Sequence, residues 1–171
     1  MERRASSPVL GQPGPVGKFA ADIVTFLSYF ASQRLPHNLK YRVLPERLAV
    51  CRLASDARIP AWAQEGGFFC VMRTHDELSI VCADVCAEDR VADGATVERG
   101  WVALQLEGPF PFSMTGVLAS FVQPLAEAQI PIFAISTFNT DYVLIKRENL
   151  KGATLALSAA GHEKLGEGDC G

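Results

Sequence analysis

The run Ile132-Phe133-Ala134-Ile135-Ser136-Thr137-Phe138-Asn139-Thr140-Asp141-Tyr142-Val143-Leu144-Ile145 reads as two apolar strands joined by a polar turn, and a fainter copy of it lies upstream. Shifted by 64 residues, the separation of Phe133 from Phe69, it falls on the run from Phe69 to Val81. Ile135 then matches Val71, Tyr142 matches Leu78, Leu144 matches Ile80 and Ile145 matches Val81. Pattern rather than identity carries the match. A strand–turn–strand unit that occurs twice in a short chain predicts two small modules packed together, with any site at or near the seam.

The flanking segments extend the repeat. Leu48 to Leu53 and Trp101 to Glu107 read as strands, the second with Val102, Leu104 and Leu106 on one face. They align at an offset of 54, which leaves ten more residues before the hairpin in the second copy. Those residues predict a helix with apolar positions Val117, Leu118, Phe121, Val122 and Leu125, an N-cap at Ser113 and a kink at Pro124. In the first copy Ile59 to Ala63 predicts one helical turn, with Pro60 at its first position. Asp84 to Gly100 is polar and weakly periodic, a short helix or a loop, and Asn149 to Ala160 predicts a helix ended by Gly161. Each copy therefore reads β-α-β-β-α. The fold class is α+β: two ferredoxin-like units side by side, with antiparallel sheets and helices on one side. A ferredoxin-like unit wants a fourth strand; either Trp101 to Glu107 serves both sheets or the first strands are exchanged. The boundaries are an accessory extension at 1–46, a first unit at 47–100, a second at 101–165 and a tail at 166–171.

Within the extension, Met1 to Gly17 is rich in Arg, Ser, Pro and Gly and reads as flexible. Phe19 to Arg34 has the spacing of one amphipathic helix, with apolar residues at Phe19, Ile23, Phe26, Leu27 and Phe30. It is interrupted by Asp22, Thr25 and Ser28 and falls short of the ~20 apolar residues a bilayer span needs. A Pro/Gly linker separates Arg3 and Arg4 from the apolar run, which argues against a signal peptide.

Several function classes are disfavoured. A net charge of −3 supplies no electrostatic reason for nucleic acid or an anionic membrane as partner. The five cysteines are odd in number and three lie in apolar strand-like runs, the pattern of buried structural thiols in a reducing, cytoplasmic setting. Cys82 and Cys86 form the one close pair, and no second pair or nearby histidine completes a metal set. The histidines His37, His75 and His162 lie in flanks or a turn, with no nucleophile–base pairing and no paired carboxylates spaced for chemistry, so the chain does not read as an enzyme. No phosphate-loop glycine pattern occurs, so no cofactor is expected.

The order strand, loop, helix, strand, strand, helix, with Ser136-Thr137-Phe138-Asn139-Thr140-Asp141 across the hairpin and Gly161-His162 near the end, resembles the ACT domain. It looks most like the tandem-ACT branch that includes the CASTOR amino-acid sensors and small bacterial ACT proteins. The resemblance covers Leu48 to Gly161 and is strongest from Trp101 onward. It implies a non-catalytic regulatory role, an amino-acid ligand held between modules, and regulation of a separate protein partner or assembly into a homo-oligomer. It places the ligand at the first loop and helix start, where the amides of Ser113, Met114, Thr115 and Gly116 would face a carboxylate at the positive end of the helix dipole. Thr137, Phe138 and Asp141 match a run that lines the pocket of arginine-sensing relatives, with Asp141 facing the ligand's positive group. Those relatives also use an acidic residue in the first loop, and Pro109 to Gly116 carries none. Plainer roles stand beside these: Ser113 as an N-cap, Phe138 as a cover for the core edge, Asp141 as a turn cap. A rival reading is an ACT-like module that assembles without a ligand.

Overall fold

A computed structural model describes residues 38–87 and 94–166. The amphipathic segment Phe19 to Arg34 and the 166–171 tail beyond Gly166 lie outside the described residues. Eight strands form one sheet: β1 (Lys40–Val43), β2 (Leu48–Ala54), β3 (Cys70–Arg73), β4 (Glu77–Ala83), β5 (Thr96–Leu106), β6 (Ile132–Ser136), β7 (Asp141–Lys146) and β8 (Glu163–Lys164). Among the described residues two helices, α1 (Val117–Glu127) and α2 (Leu150–Ala159), pack on it.

The long strand β5 joins the two units. Its Thr96–Trp101 stretch pairs with β2, its Trp101–Gln105 stretch with β7, and its Leu104–Leu106 stretch with β1. Trp101 has both Leu48 and Lys146 as partners, so β2 and β7 occupy opposite edges of β5. The fourth strand of the first unit is thus the polar half of β5, Thr96 to Gly100, a stretch whose weak periodicity predicts a short helix or a loop. Gly100, at φ 77°, lies where the β2–β5 register slips between Leu48 and Val50. That left-handed backbone suits glycine at the point where the strand passes from one unit to the other.

The fourth strand of the second unit is β1. This corrects the 1–46 extension: Lys40 to Val43 belongs to the sheet, and Tyr41 is 1% exposed, edge-on to Phe121 at 5.2 Å. Burial raises the Tyr41 phenol pKa above its usual value, with a partial offset from a hydrogen bond to Thr154. β8 then pairs parallel to β1 and closes that edge.

Alternation along the strands sorts the core. Val102, Leu104, Leu106, Val143 and Ile145 pack under α1 and α2 with Phe121, Leu125 and Leu157. Ala49, Cys51, Leu53, Leu78, Ile80 and Cys82 form the matching cluster of the first unit, on the same face of the sheet, with Trp62 and Ala63 above them. Helical elements therefore cover one side, as the α+β reading expects. The opposite face carries Leu48, Val81, Trp101, Ala103 and Leu144, all buried, and Phe68 meets Tyr142 edge-on at 5.1 Å across the two units. The hydrogen bond with Cys51, together with burial, holds the Cys82 thiol well above the usual thiol range, consistent with a structural role for this pair.

The repeat is real, but its offset is 63, not 64. The turn after β3 closes with the Thr74 amide donating to the Glu77 carbonyl at 2.9 Å, and the turn after β6 with the Thr137 amide donating to the Thr140 carbonyl at 2.8 Å. In both, the threonine hydroxyl oxygen accepts from the amide of that same partner residue. Thr137 therefore matches Thr74, Val143 matches Ile80, and Ile145 matches Cys82, each pair facing the helices. By the same register β2 matches β5 at 53, and the ten-residue difference between the copies stands. Those ten residues separate α1 from a mere 3-10 turn at Ala61–Gln64, where Pro60 is the cap rather than the first helical residue.

Candidate functional site

The loop from Gly108 to Gly116 leaves β5 and folds over the β6–β7 turn. The Phe110 amide ties it there by donating to the Asn139 carbonyl at 2.9 Å, and the Thr140 hydroxyl holds the turn to the end of β5 by donating to the Leu106 carbonyl at 2.7 Å. A Cβ on Gly108 would lie 2.5 Å from the Asn139 carbonyl oxygen, so only glycine permits this approach. Gly108→Ala is expected to cost about 1–3 kcal/mol as the loop lifts from the turn, read as a lower midpoint in urea unfolding; an unchanged midpoint would show that the loop is not held there.

Between loop and turn lies a cleft of about 190 Å³. Met114, Thr137, Phe138 and Asp141 of the sequence-predicted set line it, together with Phe110, Phe112, Val117 and Ser136. Ser113, Thr115 and Gly116 are not among its walls. Ser113 does not cap the helix; α1 begins at Val117, its N-cap is Gly116 at φ 80°, and its first backbone bond runs from Ser120 to the Gly116 carbonyl. The helix start moves three residues along, and Val117 brings it to the cleft wall. The Met114 amide is already committed to the Pro111 carbonyl at 2.9 Å.

Asp141 opens β7 opposite Ser136, whose hydroxyl donates to Asp141 Oδ1 at 2.5 Å. Turn closure falls to Thr137, whose hydroxyl also donates to the Thr140 carbonyl at 2.8 Å. The turn-cap role weighed for Asp141 is thus filled by its neighbour, and its carboxylate faces the cleft with Oδ2 free of partners among the described residues. Phe138 does not cover the core edge: it is 78% exposed and meets Phe112, 79% exposed, edge-on at 5.1 Å. The cleft is therefore a mixed notch, apolar on the side of the loop and helix and polar along Ser136, Thr137, Asn139 and Thr140, with one carboxylate, Asp141, in its wall. Phe112 escaped sequence reading, and Ser136 stands in the hairpin motif with no role assigned to it. The hairpin register would have exposed Ser136 as the cross-strand partner of Asp141, but nothing local marked Phe112.

Beside the cleft, sharing Asn139 and Thr140, lies a polar hollow of about 400 Å³ lined by Arg42, Gln105 and Glu107. There Arg42 Nε and Nη2 both reach the Glu107 carboxylate, at 2.9–3.0 Å. Among the described residues no group of three or more His, Cys, Asp or Glu is placed to hold a metal ion, and no helix is long and apolar enough to cross a membrane.

The ACT-domain family model matches residues 96–159, and a second model, of an N-terminal domain, matches residues 46–93. The protein Atu0741 of Agobacterium tumefaciens, a solved structure, is 38% identical, covers 76% of this chain and 94% of its own, and superposes with a TM-score of 0.68. The chain belongs to the ACT-domain family. This ACT-domain protein is also 35% identical over 72 residues to the human protein CASTOR3P, covering 38% of this chain and 44% of that one. The ACT chain thus spans less than half of that human relative. The regulatory subunit of aspartate kinase from Thermus flavus, at 12% identity, shares the fold over 73% of this chain and 99% of its own, with a TM-score of 0.53.

Proposed function

We propose that this ACT-domain protein is a non-catalytic regulatory sensor, and that the cleft of its second unit binds an amino acid. The observation that carries this reading is Asp141: a carboxylate in the wall of the cleft, oriented by Ser136 and relieved of turn duty by Thr137. An ammonium or basic side chain of a ligand gives this half-buried carboxylate a charge-assisted hydrogen bond. Val117, the first residue of α1, stands in the wall of the notch, so a helix start with no side-chain cap adjoins it and suits a carboxylate. The regulated partner is a separate protein or a second copy, and the setting is the reducing cytoplasm that the cysteine usage favours.

The test is a thermal-shift panel of the twenty amino acids. A ligand that binds the folded state alone stabilises it by about 2.7 kcal/mol at a hundredfold excess over its dissociation constant. One or a few amino acids are expected to raise the melting temperature by several degrees. If none does so at millimolar concentration, the rival reading takes its place. That rival, a ligand-free assembly module, draws on the exposed pair Phe112 and Phe138, which a protein partner could cover.

A further inference from the structure

The corrected register places different residues at the same two positions of the two hairpins. Arg73 pairs with Leu78 across β3 and β4, where the second unit pairs Ser136 with Asp141. The loops that follow β2 and β5 correspond in the same way, so Ser55 and Ala57 stand where Gly108 and Phe110 stand. In the second unit a backbone bond ties loop to turn, and the space beside Ser136 and Asp141 stays open as the cleft. In the first unit that tie is made by a side chain. The Arg73 guanidinium reaches across from the hairpin, Nη1 donating to the Ser55 carbonyl and Nη2 to the Ala57 carbonyl at 2.6 Å.

Two other exchanges go with it. Leu78, fully buried, replaces the carboxylate of Asp141 with a core side chain. The 3-10 turn at Ala61–Gln64 replaces α1, so no full helix start faces this loop. Arginine suits the position because its planar fork can satisfy two carbonyls at once, which the ammonium of lysine does with less geometric specificity. Each change removes something a ligand would need, and the exposed Arg73 side chain sets the chain's own cation against the two loop carbonyls.

We propose that Arg73 is the built-in occupant of the first unit's cleft: its guanidinium fills from within the position left open in the second unit. The role of Arg73 stands on the geometry of the two hairpins and loops, not on any ligand. Its corollary, one ligand cleft per chain rather than two, rests on the function proposed above.

The two readings are tested separately. Arg73→Ser and the wild-type chain are melted with and without methylguanidinium chloride, with tetramethylammonium chloride as a cation that has no hydrogen-bond donors. The variant is expected to melt lower than wild type. At roughly 20 mM methylguanidinium it is expected to regain about 1–3 °C, while wild type gains nothing and tetramethylammonium helps neither. An equal response of both chains, or no recovery in the variant, overturns the proposal. If Arg73→Ser does not melt cooperatively, Arg73→Gln, which keeps an amide donor, is read by the same criteria. Failure here leaves the amino-acid panel on the wild-type chain untouched, and failure of that panel leaves the rescue result standing.

Discussion

His162→Ala is expected to lower the stability of the second unit by about 3–5 kcal/mol, a fall in melting temperature of roughly 8–15 °C. His162 is 5% exposed and ties three elements together at the end of α2. Its Nδ1 accepts the Leu39 amide at 3.2 Å, which places the proton on Nε2, 3.1 Å from the Ser120 carbonyl of α1. Its own amide donates to the Leu157 carbonyl at 2.9 Å, and its ring lies 5.3 Å from that of Phe121. Alanine leaves a buried donor and a buried acceptor unmet and opens a cavity beside Phe121. His162→Gln, which can reach one of the two groups, is expected to recover part of the loss. Denaturant unfolding of the three chains decides: a change below about 1 kcal/mol for alanine would show that water replaces the ring at little cost.

Removing β1 is expected to have a still larger effect. A chain that begins at Pro45 lacks Leu39, Tyr41 and Val43, and so uncovers Leu104, Leu106 and Phe121 from one side. Loss of a buried aromatic alone costs about 3–5 kcal/mol, a large share of a typical stability of 5–15 kcal/mol. The strand also supplies the sheet edge on which β8 is built. The Pro45 chain is expected to lose the cooperative unfolding of its second unit. A chain that begins at His37 keeps the Leu39 amide and is expected to melt within a few degrees of the full chain. Cooperative, native-like melting of the Pro45 chain would mean that β1 is an ornament rather than the fourth strand.

The repeat was legible because each hairpin brings two apolar runs and a polar turn to a fixed spacing. Its register was not, since β4 and β7 are central strands buried on both faces, and Ile80-Val81-Cys82 or Val143-Leu144-Ile145 offers no alternation to fix a phase. Apolar residues fall on apolar residues at an offset of 64 as readily as at 63, so the pattern alone matches residues that face opposite sides of the sheet. Thr74 and Thr137, with the same turn-closing hydroxyl, were the true anchors. One strand, β1, and the first half of another, β5, were hidden by their polarity. Lys40, Arg42, Glu98 and Arg99 lie on solvent-facing positions or in surface ion pairs, so the short runs around Tyr41 and Val97 carry too little apolar pattern to read as strands. The helix start slipped from Ser113 to Gly116 because a loop that bends over a neighbouring turn overrides a local capping preference. Asp141 was legible as part of a motif; its orientation by Ser136 needed the register.

Isothermal titration of the amino acid with the largest thermal shift, into wild type, Asp141→Ala and Arg42→Met, tests the central claim most directly. The account predicts binding to wild type, a loss of roughly 10- to 150-fold in affinity for Asp141→Ala as a hydrogen bond to a charged group disappears, and little change for Arg42→Met. Binding that is intact in Asp141→Ala and lost in Arg42→Met would place the ligand in the polar hollow beside Glu107 and contradict the assignment of the cleft.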